Sequence, residues 1–114
     1  MGRRGKYNAS KVTLDGHRFD SQREAKRYEE LKQREAAGKI AQLELQPRFE
    51  LQPAFRYRGE AVRKIEYVAD FRYLDYERGG LVVEDVKGMK TDVYRLKRKL
   101  FLAKYGDGVI FKEV

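Results

Sequence analysis

The segment Val82-Val83-Glu84-Asp85-Val86-Lys87-Gly88, taken with Tyr67-Val68-Ala69-Asp70-Phe71, constrains the chain more than any other feature. Both stretches are rich in β-branched and aromatic residues. Glu77-Arg78-Gly79-Gly80 between them is turn chemistry, so they predict two paired strands. Side chains alternate along a strand, which puts Asp85 and Lys87 on one face and Glu84, with Val82 and Val86, on the other. Folding the hairpin back carries Asp70 towards Asp85 and Lys87. Two carboxylates and an ammonium converging there are costly unless a cation and a substrate belong with them. Glu84, on the opposite face, stays outside this expected site.

A chain of 114 residues has room for one domain with a single core. The absence of cysteine excludes a disulfide scaffold and a cysteine-ligated zinc site. No apolar run approaches transmembrane length, and Met1-Gly2-Arg3-Arg4 leads into polar residues rather than a signal-peptide core, so a soluble cytoplasmic protein is expected. Twenty-six basic against 18 acidic residues give a net charge of +8, which favours a polyanionic partner. The charge is clustered: residues 87–104 hold seven basic residues and one acidic residue, a net +6. The N-terminus adds Arg3, Arg4, Lys6 and Lys11 before the first acid. Arg3, Arg4, Lys6, Lys90, Arg95, Arg98 and Lys99 are therefore candidate DNA contacts, a solvated basic face being the plainer alternative.

Residues 1–10 have the composition of a flexible basic arm, leaving 11–114 as the single domain. Val12-Thr13-Leu14 and His17-Arg18-Phe19 flank Asp15-Gly16, a strong hairpin signal. A helix is expected from Ser21 to about Ala37, with Ser21 and Glu24 as a capping box, Ala25, Tyr28, Leu31 and Ala36 as its apolar stripe, and Gly38 ending it. Ile40 to Pro47 reads as a connector. The segments 48–51 and 54–57 read as an edge or bulged strand because of Pro47 and Pro53, with a turn at Arg58-Gly59-Glu60. One strand spans Ile65 to Asp75, with Tyr67, Ala69, Phe71 and Tyr73 on one face, and Leu81 to Lys87 pairs with it. Thr91 caps a second helix to about Tyr105, with Val93, Leu96, Leu100 and Ala103 on its buried side. Tyr94, Phe101 and Tyr105 read as packing rather than base-stacking groups, and lone His17 as structural or surface. A last strand, 109–113, follows a helical crossover and is expected parallel to 81–87. The resulting order is α-β-β-β-α-β.

This order, with Asp70 in the second core strand and Asp85-Val86-Lys87 in the third, resembles the PD-(D/E)XK nuclease superfamily, although Ala69 stands where its pattern has proline. Phe19-Asp20-Ser21-Gln22-Arg23-Glu24-Ala25, the paired Leu-Gln-Pro segments, Tyr67 to Phe71 and Val83 to Gly88 are also similar to small phage-encoded nucleases. In size and element order the chain is similar to archaeal-type Holliday junction resolvases. The resemblance implies a restriction-endonuclease-like α/β fold, its α-β-β-β-α-β core built on a mixed central sheet flanked by helices. It implies metal-binding acids at Asp70 and Asp85, a lysine at Lys87 that positions water or stabilises charge, and Glu24 completing the metal site. It further implies Mg²⁺, with Mn²⁺ able to substitute, a homodimer, and four-way DNA junctions as substrate in the host cytoplasm. The carbonyl of Val86 is a further candidate ligand.

Each residue also has a plainer role. Glu24 is accounted for by helix capping, Asp70 by a surface ion pair, and Asp85 with Lys87 by a same-face salt bridge. Two other functions stay open: an endonuclease of the same fold acting on flaps or duplex, and a non-enzymatic basic DNA-binding protein.

Overall fold

The computed structural model describes residues 11–86, 88 and 90–114; the expected N-terminal arm lies outside them. Strands β1 (Val12–Leu14) and β2 (His17–Phe19) form the hairpin expected from Asp15-Gly16. Both turn residues have positive φ, 52° and 79°, the left-handed region that aspartate tolerates and glycine enters freely. The hairpin is fixed to helix α1 (Gln22–Ala36) by burial of Phe19 and by the Tyr28 hydroxyl, which donates to Asp15 Oδ2 at 2.8 Å. Ser21 caps α1, its Oγ accepting from the Glu24 N–H at 3.1 Å. The reciprocal half differs from the expected box: Glu24 Oε1 accepts from the N–H of Asp20, one residue earlier, at 3.1 Å.

The stretch expected to be a connector is a strand, β3 (Ile40–Leu45). It escapes an alternation test because a bulge lies between Ala41 and Glu44, where Gln42 takes φ of 57°. β3 is one edge of a four-stranded mixed sheet of order β10-β9-β8-β3, in which β8 is Phe71–Asp75, β9 Gly80–Asp85 and β10 Ile110–Glu113. β8 pairs antiparallel with both β3 and β9, and β10 lies parallel to β9 after helix α2 (Asp92–Tyr105), as a crossover connection requires. The sheet and its helices thus run α1, β3, β8, β9, α2, β10, with the first sheet strand at Ile40–Leu45 rather than at 48–57. The segments on either side of Pro53 belong to two further strand pairs, β4 (Arg48–Gln52) with β7 (Ile65–Val68), and β5 (Phe55–Tyr57) with β6 (Glu60–Val62). Among the described residues no helix is long and apolar enough to cross a membrane.

The expected continuous strand 65–75 is broken. It pairs with β4 up to Val68 and with β3 and β9 from Phe71 onward, and Ala69-Asp70 is the joint. Tyr67, Ala69, Phe71 and Tyr73 are all buried, as alternation predicts, yet in two different cores. Phe71 and Tyr73 join Val82 and the α1 residues Ala25, Tyr28 and Leu31; Tyr67 and Ala69 join Val83, Phe49 and the α2 residues Tyr94 and Phe101. Each face of the sheet therefore carries a helix.

Helix α2 buries a different face from the one its aliphatic residues suggest. Val93, Leu96 and Leu100 are exposed, whereas Tyr94 and Phe101 are buried, with Tyr105 packed against them. Phe101 sits among aromatic rings, 4.7 Å from Phe49, 5.0 Å from Tyr67 and 5.5 Å from Tyr105 between centroids. Rings bury more apolar area than aliphatic side chains and gain from edge-on packing, so the aromatic stripe takes the core. Phe101→Ala is expected to cost about 3–5 kcal/mol in urea unfolding, and Leu96→Ala less than about 0.5 kcal/mol. Equal losses would contradict this packing.

Candidate functional site

Three carboxyl groups from three separate elements meet where β7 gives way to β8. Glu24 lies in the first turn of α1, Asp70 at the joint, and Asp85 at the end of β9. The backbone fixes Asp70 on three sides. Its N–H donates to the Glu84 carbonyl at 3.0 Å, and its own carbonyl accepts from Gln46 N–H at 2.9 Å. Its Oδ2 accepts from the Val86 N–H at 2.6 Å. Val86 thus meets the site through its amide.

The Asp85 side chain is fully buried, and its Oδ2 accepts a hydrogen bond from the Tyr67 hydroxyl. Burial, and then that bond, push the Tyr67 phenol far above its usual range, so it stays a donor. Asp70 stands within hydrogen-bonding reach of both Glu24 and Asp85. Burial chiefly, and the neighbouring Glu24, raise the Asp70 carboxyl to about 7, against the Val86 amide and Asp85, which favour its ionised form.

An open cleft of about 510 Å³ lies over this row. Glu24 and Asp70 line it, together with His17 and Arg18 from β2 and Gln46 from the β3–β4 connection, while Asp85 does not reach its surface. His17 is exposed and packs its ring edge-on against Tyr28 at 5.8 Å. Among the described residues no group of three or more Asp, Glu, His or Cys side chains is arranged to hold a metal ion.

The structure thus brings Glu24, Asp70 and Asp85 together, and Lys87 lies outside the described residues. Glu84 points the other way, as its position on the strand predicts. It is wholly buried and bound by Arg27, with Nε to Oε1 at 2.8 Å and Nη2 to Oε2 at 2.5 Å, and by the Tyr73 hydroxyl. The forked geometry satisfies both carboxylate oxygens, and removing one partner of such a pair costs about 3–5 kcal/mol. Its role is to hold α1 on the sheet.

Of the candidate DNA contacts, Arg3, Arg4 and Lys6 lie outside the described residues. Arg98 and Lys90 both pair with Glu113, at 2.5 and 3.4 Å, and Arg95 pairs with Asp92 at 3.4 Å. Lys99 is exposed. Part of the basic window on α2 is therefore spent on the protein's own acids. Sequence reading missed Tyr67 as a partner of Asp85, and Arg18 and Gln46 as cleft residues. No spacing rule connects them to the acids, because β7 and the β1–β2 hairpin reach the site through tertiary packing.

The sequence pattern of a family described as a protein of unknown function, DUF1064, matches residues 4–112. The chain belongs to this family. No curated protein and no solved structure matches it. For this DUF1064 member the geometry of the site is accordingly the main guide to function.

The carboxyl row has a consequence for stability. Asp70 has its folded pKa raised above the ordinary aspartate value of 3.8, to about 7. The folded protein then binds the extra proton, so this stability is present below pH 4 and is lost as pH rises towards 7. Asp70→Asn keeps an acceptor for the Val86 amide and removes the charge. It is expected to stabilise the protein at pH 8 by on the order of 2–4 kcal/mol, and by much less at pH 4.5, in parallel thermal melts. A gain independent of pH would show that the raised pKa is not the cause.

Proposed function

We propose that the chain is a metal-dependent endonuclease of PD-(D/E)XK type, with a restriction-endonuclease-like core, that hydrolyses phosphodiester bonds in branched DNA. The observation that carries this reading is the row Glu24–Asp70–Asp85, three acids from three elements under an open cleft, one of them raised to about 7. A protein gains nothing in stability from crowding carboxyls in a partly dry site, and such arrangements cluster where chemistry is done.

The donor set suits a hard divalent cation. All its side-chain donors are oxygens, and the crowding of carboxyl groups around Asp70, itself raised to about 7, marks where positive charge is wanted. Glu24, Asp70 and Asp85 are the residues that would hold Mg²⁺, with Mn²⁺ able to replace it. When bound, such an ion neutralises phosphoryl oxygens and makes water more acidic. The chain's own residues do the rest. The backbone bonds to Asp70 hold its carboxylate in place before substrate arrives, which spares reorganisation during the reaction. Tyr67 fixes the Asp85 carboxyl from behind. Arg18, on the cleft wall, is placed to take up phosphate charge that the acids repel. Lys87 keeps the role that the resemblance implies, steadying the attacking water or the developing charge. In the hydrolysis the water oxygen forms a new P–O bond, the opposite P–O bond breaks, and the leaving oxygen takes up a proton.

Junction resolution needs two symmetric cuts and so two copies of the chain, the homodimer that the resemblance implies. The test is cleavage of a labelled immobile four-way junction and its linear arms, with Mg²⁺ and with EDTA. Paired nicks that need Mg²⁺ and fall at least ~10²-fold in Asp85→Asn are expected. Equal cutting of linear DNA would keep the nuclease and discard junction selectivity. Binding without cleavage in Mg²⁺ or Mn²⁺ would leave a DNA-binding protein.

A further inference from the structure

The pair β5–β6 is attached to neither core. Its strands hydrogen-bond to each other and make few contacts with the rest of the chain. A lone two-stranded hairpin is marginal in water, and this one shows solvent the groups that proteins ordinarily cover. Phe55 is 47% and Tyr57 61% exposed. They alternate with Arg56 along β5, so both rings share one face with Val62, the register partner of Phe55. Arg56 lies on the opposite face with Ala61.

The tip is built around an arginine. Arg58 and Gly59 both take positive φ, 51° and 82°, as a tight hairpin turn demands. Asparagine is far better suited to the first of these positions, and an ordinary L-residue there costs about 1–2 kcal/mol. Arg58 instead holds its guanidinium 5.4 Å from the Tyr57 ring centre, and Arg56 braces the turn by donating to the Gly59 carbonyl at 2.7 Å. Residues 54–64 hold four basic residues (Arg56, Arg58, Arg63 and Lys64) and one acidic residue, Glu60, a net +3. Lys64 is paired with Glu66 at 3.1 Å. Among the described residues Arg56, Arg58 and Arg63 form no ion pair, in contrast to Arg95 and Arg98 on α2.

We infer that the β5–β6 ribbon is a nucleic-acid-binding arm, its arginines on backbone phosphates and Phe55 and Tyr57 against bases that have lost their stacking partners. The charge selects a polyanion over an apolar protein surface. The flat aromatic faces select one that offers bases, and a two-stranded ribbon has the width of a DNA groove. Unstacked bases occur where strands exchange or end, so the arm adds a reason for preference of branched over linear DNA. The inference deepens the nuclease reading, yet it concerns binding and is measured without cleavage.

The test uses the full chain in EDTA, a fluorescein-labelled immobile four-way junction and a linear duplex of the same sequence. Two double variants are compared with the parent: Arg58→Ala with Arg63→Ala, and Phe55→Ser with Tyr57→Ser. The ribbon lies outside both cores, so thermal melts of both variants should match the parent. The arginine variant is expected to weaken binding to both DNAs and to lower the slope of log affinity against log salt by about 1.8 on duplex, 0.9 for each phosphate contact. The aromatic variant is expected to lose roughly tenfold on the junction and little on duplex. Unchanged affinities and slopes would overturn the inference, even if the parent cleaves DNA. Reduced binding by the variants of a parent that never cleaves would support the arm while removing the nuclease reading. A dimer of the parent that dissociates in the aromatic variant, with DNA affinity unchanged, would assign the ribbon to contacts between copies and overturn the proposal.

Discussion

The turnover of the chain at Ala69-Asp70 governs both cores and the site. A strand that pairs with β4 as far as Val68, and with β3 and β9 from Phe71, must rotate in between. That rotation sends Tyr67 and Ala69 to the α2 side and Phe71 and Tyr73 to the α1 side. The joint cannot use ordinary ladder bonds throughout, so its polar backbone groups take partners from three places: Pro47, Gln46 and Glu84. Asp70 occupies a spot tied down by these backbone bonds, where strand pairing opens a gap beside the α1 N-terminus.

Burial then dictates the chemistry of that gap. Glu24 is held there by helix capping, Asp85 by the last register step of β9, and neither depends on the other acid for its position. Removed from water, these groups take donors from Val86 and Tyr67, and the Asp70 carboxyl is pushed up towards its protonated form. Glu84, one residue before Asp85, meets the opposite solution: a guanidinium and a phenol satisfy it completely. Adjacent acids on one strand thus differ in kind because the strand separates two environments. Glu84 is a clamp, and Asp85 belongs to the carboxyl cluster around Asp70.

Much of this was legible in the sequence because it rests on local rules. The Asp15-Gly16 turn, the Ser21 and Thr91 caps, the parallel last strand and the proximity of Asp70 to Asp85 follow from turn chemistry, capping and alternation. The failures have identifiable causes. The bulge at Gln42 interrupts the alternation by which β3 would be recognised. A strand that alternates without interruption from Tyr67 to Tyr73 gives no sign of its break, since both sides of the joint are buried. Helix α2 carries two apolar stripes, and only the space left by Phe49, Tyr67 and Phe111 decides which one is covered. Cleft residues His17, Arg18 and Gln46 arrive through packing of distant elements and leave no local mark.

The bulge that hides β3 also bears on how the protein behaves in a crowd. β3 and β10 are the open edges of the sheet, and an open edge is a template on which a foreign strand can add and start an aggregate. At one rim the extra residue at Gln42 spoils the even spacing that an incoming strand would need. At the other, Lys112 carries an ammonium in the middle of the strand, directed towards Glu84 at 3.9 Å, a charge that a newcomer would have to bury. A sheet of only four strands is thereby closed to growth without being rolled into a barrel.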